Sequence, residues 1–120
     1  MRGRGFTLVE VLVALAVLAI ALGAAVRAVS AAAAAQARLE TRTLAQWVAA
    51  NLVAEQRALG AWPDPGRSDG TAVMGRRAWR WVLTVSRTPD PDLRRLEVAV
   101  APEEAPAQTA TRLVAFLARP

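Results

Sequence analysis

The feature that most constrains this chain is an unbroken apolar segment near its N-terminus. Residues 6–26 read FTLVEVLVALAVLAIALGAAV, and Glu10 is the one charged side chain among them. As an α-helix this segment would be about 32 Å long, which matches the roughly 30 Å hydrocarbon core of a bilayer. Arg2 and Arg4 precede it, and positive charge is retained on the cytoplasmic side of a membrane. We therefore predict one membrane-spanning helix over residues 6–27, with a cytoplasmic N-terminus and an exported C-terminal region.

Three interpretations of this segment are open: a plain membrane anchor, a secretory signal peptide cut near Ala31–Ala35, and an anchor that is processed at its start. The apolar stretch is longer than the 7–15 residues usual for a signal peptide. A carboxylate in a spanning helix costs roughly 2.5–3.5 kcal/mol at the bilayer centre, and such groups are functional by default. Glu10 is therefore a candidate functional residue.

The segment Gly5–Glu10 (GFTLVE) resembles the processing motif of type IV prepilins. In that family a membrane peptidase cuts after the glycine and methylates the new N-terminus, which is usually a phenylalanine. The resemblance implies a leader of residues 1–5, cleavage after Gly5, and N-methylated Phe6. It also implies that Glu10, then the fifth residue, pairs with the terminal amine of a neighbouring subunit during filament assembly. A prepilin peptidase and methylase is therefore an expected partner.

Beyond the membrane the pattern predicts that the helix continues through residues 28–60. Leu44, Trp47, Val48 and Leu52 recur at helical spacing and form one apolar face. Gly60 is expected to end the helix.

Residues 61–120 are predicted to form a small antiparallel β domain. Apolar and polar residues alternate over 77–86, 95–100 and 111–118, which is typical of half-buried strands. Val73 and Met74 are candidates for a short fourth strand, and residues 62–70 are predicted to be a loop because of their Pro and Gly content. The expected fold class is α+β: a long N-terminal transmembrane and assembly helix packed on a small antiparallel sheet, as in pilins.

The composition argues against several classes of function. All 15 basic residues are Arg, and they are scattered rather than clustered, so we expect no nucleic-acid partner. The chain has no Cys and no His, which removes the commonest nucleophile–base pairs and metal ligands. The paired acids lie in predicted loops, where solvated turns explain them. We expect a chain that is not an enzyme, with no catalytic residues, no metal and no cofactor.

The tryptophans divide into two groups. Trp79 and Trp81 share a strand face with apolar neighbours and are predicted to be core. Trp47, on the apolar helix face, is predicted to be core or partner interface, and Trp62, in a Pro-rich loop, to be exposed. The candidate partner interface comprises Trp47, Val48, Leu52 and Trp62.

A second resemblance covers much of the exported region. Residues 44–51 (LAQWVAAN), 62–63 (WP), 75–81 (GRRAWRW) and 91–98 (PDLRRLEV) are similar in order and spacing to the I-type minor pseudopilin of type II secretion. This resemblance implies a bacterial inner-membrane protein with a periplasmic domain that joins J-type and K-type minor pseudopilins and other pseudopilins. Such subunits lie at the tip of a periplasmic pseudopilus that assists export of folded proteins across the outer membrane.

Two alternatives stay open on the sequence alone. A minor type IV pilin or competence pseudopilin would share residues 1–30 but not the later motifs. A secreted binding module with an ordinary signal peptide would have a mature chain that starts between about residues 32 and 36.

Overall fold

The structure is a computed structural model that describes Gly5 and residues 7–120. The chain divides into an N-terminal unit that ends at Arg38 and a second unit, Leu39–Pro120. One long helix is followed by four strands, which confirms the predicted α+β class. The elements are α1 (Leu8–Ala58), β1 (Gly66–Met74), β2 (Arg77–Arg87), β3 (Leu93–Pro102) and β4 (Thr111–Ala118).

The N-terminal unit consists of the first part of α1. No side chain from Leu8 to Arg38 is buried, and the helix is long and apolar enough to cross a membrane. A helix that is apolar on all sides and buries none of that surface in its own chain suits lipid or neighbouring helices. The predicted helix over the apolar segment is therefore confirmed for the residues described.

The sheet is an antiparallel meander with strand order β1-β2-β3-β4. The predicted strands over 77–86, 95–100 and 111–118 coincide with β2, β3 and β4. A two-residue turn joins β1 to β2, and both of its residues, Gly75 and Arg76, have a φ of 60°. This is the backbone of a type I′ turn, whose twist matches that of paired strands.

The prediction of a loop over residues 62–70 is wrong for its second half, because β1 begins at Gly66. Gly, Ser and Asp have low strand propensity, and this composition concealed the strand. The tight turn at Gly75 places the segment beside β2, in a register that sets Gly70 opposite Trp81. Because β1 is an edge strand, pairing along one side is enough to form it.

The core lies between the second part of α1 and one face of the sheet. From the helix it takes Ala45, Val48, Ala49 and Val53, and from the sheet mainly Trp79, Leu83, Val85, Leu96, Val98, Val100, Ala115 and Leu117. Trp79 is fully buried, as predicted, and its Nε1 donates a hydrogen bond to the carbonyl of Met74 at 3.0 Å. Trp81 is partly buried against the same cluster.

The buried face of the helix is rotated from the predicted one. Val48 and Leu52 lie against the core, but Trp47 is 56% exposed. The small side chains of Ala45 and Ala49 instead face the sheet, since they let the helix and strand backbones approach closely. Trp47 is therefore not a core residue, and its role in a partner interface stays a prediction.

Gly60 ends the helix region as predicted. It has a φ of +59°, its N–H donates to the carbonyl of Arg57, and the N–H of Ala61 donates to the carbonyl of Gln56 at 3.0 Å. These two bonds form a Schellman motif, which satisfies two of the free carbonyls at the end of the helix.

Candidate processing and assembly sites

The N-terminus of α1 is closed by a reciprocal pair of hydrogen bonds. The N–H of Glu10 donates to Oγ1 of Thr7 at 3.1 Å, and the N–H of Thr7 donates to Oε2 of Glu10 at 3.3 Å. The carbonyl of Thr7 accepts the first helical bond, from Val11. This is a capping box with Thr7 as N-cap, and it satisfies two backbone donors that the helix start would otherwise leave free.

Glu10 therefore has a local structural role in addition to the role that the family resemblance implies. Its carboxylate lies within the first turn, where the helix dipole favours negative charge, and apolar residues continue along the same side of the helix at Ala14 and Leu18. Within the described residues, Glu10 forms no ion pair. Gly5 is exposed, whereas Phe6 lies outside the described residues, so its methylation stays a prediction.

The candidate interface residues of the second unit are separated by the fold. Trp47 lies on the outer side of the helix, with Ala50 and Ala54 exposed one and two turns further on. A large aromatic side chain beside small ones forms a surface into which a partner helix can pack. Val48 is only 4% exposed and is taken up by the chain's own core. Of the helix residues in the candidate interface, Trp47 is the most accessible.

The prediction that Trp62 is exposed is wrong. The side chain is partly buried against the core, and two guanidinium groups lie over its ring, those of Arg94 at 4.6 Å and Arg119 at 5.2 Å from the centroid. Arg94 also donates to the carbonyl of Pro63. These cation–π contacts tie the loop after the helix to β3 and to the C-terminal tail, so Trp62 stabilises the unit.

Three of the acidic side chains in and between the strands form ion pairs with arginines. Asp69 pairs with Arg80, Glu104 with Arg77, and Asp92 with Arg119. In the turn after β2, the N–H of Asp92 donates to Oδ1 of Asp90 at 2.9 Å, an Asx-type turn. Among Gly5 and residues 7–120, no three metal-ligating side chains converge.

Glu97 lies between two arginines on the outer face of the sheet. It accepts hydrogen bonds from Arg95 at 3.0 Å and from Arg112 at 2.9 Å. These bonds, first that from Arg95 and then that from Arg112, hold the pKa of Glu97 below its usual 4.5. The triad connects β3 to β4 on the face that the helix does not cover.

Two of these features were missed from the sequence. The spacing Thr7-x-x-Glu10 is the signature of a capping box, so this role was readable from local sequence. The contact of Trp62 with Arg94 and Arg119 had no such signal. The three residues lie 25 to 57 positions apart, and only the packing of loop, strand and tail brings them together.

Comparison with known proteins gives matches for both parts of the chain. A family model described as type II secretion system (T2SS), protein I, matches residues 39–118, and a model of the prokaryotic N-terminal methylation motif matches residues 1–26. Type II secretion system protein I of Pseudomonas aeruginosa is 37% identical, over 97% of this chain and 95% of that protein. The protein of the same name from Aeromonas hydrophila is 38% identical, over 83% of this chain and 84% of that protein.

A solved structure is similar as well. It is the crystal structure of the GspK-GspI-GspJ complex from the type 2 secretion system of enterotoxigenic Escherichia coli. The matched chain is 26% identical, with a TM-score of 0.54, over 68% of this chain and 96% of the matched one. The family match extends well past the N-terminal motif that pilins and pseudopilins share. It therefore favours an I-type minor pseudopilin over a minor type IV pilin or competence pseudopilin. The chain belongs to the type II secretion system protein I family and is a minor pseudopilin.

Proposed function

We propose that this chain is a tip subunit of the periplasmic pseudopilus and assembles there with J-type and K-type minor pseudopilins. The observation that carries the proposal is the similarity to a chain of the GspK-GspI-GspJ complex over 96% of that chain. The exposed Trp47 on the outer side of α1 is the surface of the second unit that we assign to a partner helix. The role is structural, without catalysis or a cofactor, and serves the export of folded proteins across the outer membrane.

The proposed organisation has four parts. Residues 1–5 are a cytoplasmic leader, residues 6–27 span the inner membrane and residues 28–60 continue the helix into the periplasm. Residues 61–120 form the β domain there. The prepilin peptidase removes the leader after Gly5 and methylates Phe6, and the new amine is then close in depth to the carboxylate of Glu10. The match of residues 1–26 to the methylation motif supports this order.

The mature N-terminus is the first measurement. Mass spectrometry of the chain purified from membranes, with and without co-expressed prepilin peptidase, should find N-methylated Phe6 only when the peptidase is present. A Gly5→Val variant, which blocks the cleavage position, should keep the full leader. A mature chain that starts between about residues 32 and 36 would show an ordinary signal peptide instead, and would contradict this assignment.

Two substitutions separate the two roles of Glu10. Glu10→Gln keeps the capping box, because glutamine can occupy the same position, but removes the charge that would pair with an amine. Thr7→Val removes the cap acceptor but keeps the charge. We expect Glu10→Gln to abolish incorporation into the assembled tip complex, and Thr7→Val to reduce it only modestly. If Glu10→Gln assembles like the unchanged chain, Glu10 acts only as a helix cap.

Partner binding by Trp47 is tested by co-purification with J-type and K-type pseudopilins. We expect Trp47→Ala to lose most of the complex. A tryptophan that becomes buried in an interface is often a hot spot worth 2 kcal/mol or more, which corresponds to about a thirtyfold change in affinity. Leu59→Ala is the matched control, because Leu59 is also exposed but lies past the end of α1. Equal yields for both variants would remove Trp47 from the interface. A chain that binds neither pseudopilin would contradict the proposed function itself.

A further inference from the structure

Strand β4 forms one edge of the sheet, and its backbone groups alternate in direction. The N–H of Arg119 donates to the carbonyl of Asp92 at 2.8 Å, in continuation of the β3–β4 register. Hydrogen-bonded and non-hydrogen-bonded pairs alternate in an antiparallel ladder. The odd-numbered residues of β4 therefore bond to β3, and the backbone groups of Arg112, Val114 and Phe116 point away from the sheet.

An independent contact confirms this direction. Arg57, near the end of α1, reaches the carbonyl of Phe116 from outside the sheet, with Nη2 at 3.5 Å. Among the described residues, no other hydrogen bond uses the outward backbone groups of these three residues. Most of the β4 edge is thus an open row of donors and acceptors.

The two edges of the sheet differ in how they are protected. Edge strands usually carry charges or proline, which discourage pairing with another chain, and glycine weakens a strand. Strand β1 follows this rule, with Gly66, Arg67, Asp69 and Gly70 in nine residues. Strand β4 reads TRLVAFLA and has no charge after Arg112.

The side chains along the β4 edge are apolar and accessible. Val114 is 45% exposed and Phe116 is 50% exposed, both on the face of the sheet that the helix does not cover. Beside the edge, a groove of about 310 Å³ lies between the end of the helix, at Arg57 and Gly60, and the last residues of β4. An added strand would cover the two apolar side chains and place one of its own side chains at this groove.

The charge at the groove selects the occupant. The guanidinium of Arg57 forms no ion pair with a carboxylate in the part of the chain that the structure describes. Arg112, at the other end of the strand, carries a second positive charge that Glu97 only partly offsets, since Glu97 is shared with Arg95. A second copy of this chain would bring like charges together, whereas an acidic segment would complement them.

We propose that the open edge of β4 is a strand-addition site for an extended segment of another protein, with apolar residues over Phe116 and a carboxylate at Arg57. Main-chain hydrogen bonds supply affinity in this mode of recognition, and the side chains at alternate positions supply specificity. The proposal does not depend on which pseudopilins join the tip, because it uses a surface separate from Trp47.

The test uses the full chain in detergent micelles and a synthetic octapeptide of alternating Val and Glu, capped at both ends. Amide hydrogen exchange by NMR reports the amides of Arg112, Val114 and Phe116. At a peptide concentration ten times its Kd, exchange at these amides should slow by about tenfold. A Val–Lys octapeptide should not protect them. Unchanged exchange with the Val–Glu peptide, or equal protection by both peptides, would overturn the proposal.

Two matched variants separate the edge from the rest of the fold. Val114→Pro removes one outward N–H of β4, and proline is tolerated at such edge positions. Met74 flanks the two-residue turn and is hydrogen-bonded to β2, so the N–H of Val73, one residue earlier, points away from β2. Val73→Pro therefore removes one outward N–H of β1. Protection by the Val–Glu peptide should be lost in Val114→Pro and kept in Val73→Pro. Equal loss in both would refute the assignment to β4.

Charge reversal covers the case in which Val114→Pro fails to fold. Arg57→Glu leaves the backbone of β4 unchanged and should weaken binding of the Val–Glu peptide while it strengthens binding of the Val–Lys peptide. If the two affinities do not change, the carboxylate specificity is wrong. If sedimentation shows that the chain alone dimerises and that Val114→Pro prevents it, the occupant is a second copy and the proposal falls.

Discussion

The contact between Gly70 and Trp81 yields a prediction with a magnitude that can be worked from the structure. The two residues lie directly opposite each other on β1 and β2. A Cβ added at Gly70 would lie 2.4 Å from Cζ2 and 2.8 Å from Cε2 of the Trp81 ring. Carbon atoms pack at about 3.5–4.0 Å, so the ring would have to move by about 1 Å away from its place over the glycine.

We expect Gly70→Ala to destabilise the second unit by about 1–2 kcal/mol. Overpacking of this kind costs about 1–3 kcal/mol, and the lower backbone entropy of alanine in the unfolded chain offsets about 0.4–1 kcal/mol of it. For a domain of this size each kcal/mol corresponds to roughly 4–8 °C in Tm. The melting temperature should therefore fall by roughly 4–16 °C.

The assay is thermal unfolding of the full chain in detergent, followed by near-ultraviolet circular dichroism, which reports tryptophan packing. The same substitution is then made in a Trp81→Ala background, where the ring is absent. There, Gly70→Ala should be neutral or slightly stabilising, since only the entropy term remains. If the substitution costs the same in both backgrounds, the cause is not the ring and the reasoning is refuted.

Three further predictions concern other contacts. Glu97→Gln should reduce the loss of stability in acid. Because the pKa of Glu97 is lowered in the folded state, its carboxylate stabilises the fold above the usual pKa of 4.5, and this stabilisation is lost as the pH falls through the lowered pKa. Urea titrations at pH 7 and pH 3 measure the difference in the free energy of unfolding. Thr7→Val should speed amide exchange at Glu10 about fivefold, because loss of the helix cap costs about 1 kcal/mol. Thr7→Ser keeps a cap hydroxyl and should keep the slow rate. Trp79→Phe should cost about 1–3 kcal/mol in urea unfolding because the carbonyl of Met74 loses its buried donor; a cost near zero would show that water replaces it.

Much of the secondary structure was readable from the sequence because it depends on local patterns. The alternation of apolar residues predicted β2, β3 and β4 close to their observed bounds. Gly60 predicted the end of the helix, where a left-handed backbone is needed. Strand β1 was not predicted beyond its last two residues, because its composition resembles a loop and only pairing with β2 makes it a strand.

The placement of individual tryptophans could not be derived in the same way. Helical spacing put Trp47 and Val48 on one face, but the structure buries Val48 and leaves Trp47 exposed. The face of a helix that packs on a sheet depends on where the two backbones can approach closely, and here the small side chains of Ala45 and Ala49 lie on that face. Trp62 is partly buried because arginines from two distant segments cover it, and no window of sequence contains all three.

The sequence by itself indicated a membrane segment and a processing motif and was enough to predict the family, because each depends on consecutive residues or on ordered short motifs. A mainly apolar helix of 21 residues with one charged side chain needs no tertiary contact to favour a bilayer. Only the tertiary structure decided which surfaces stay free: Trp47 on the helix and the open edge of β4. Exposure is a property of what the rest of the chain leaves uncovered, and it depends on contacts between residues far apart in sequence.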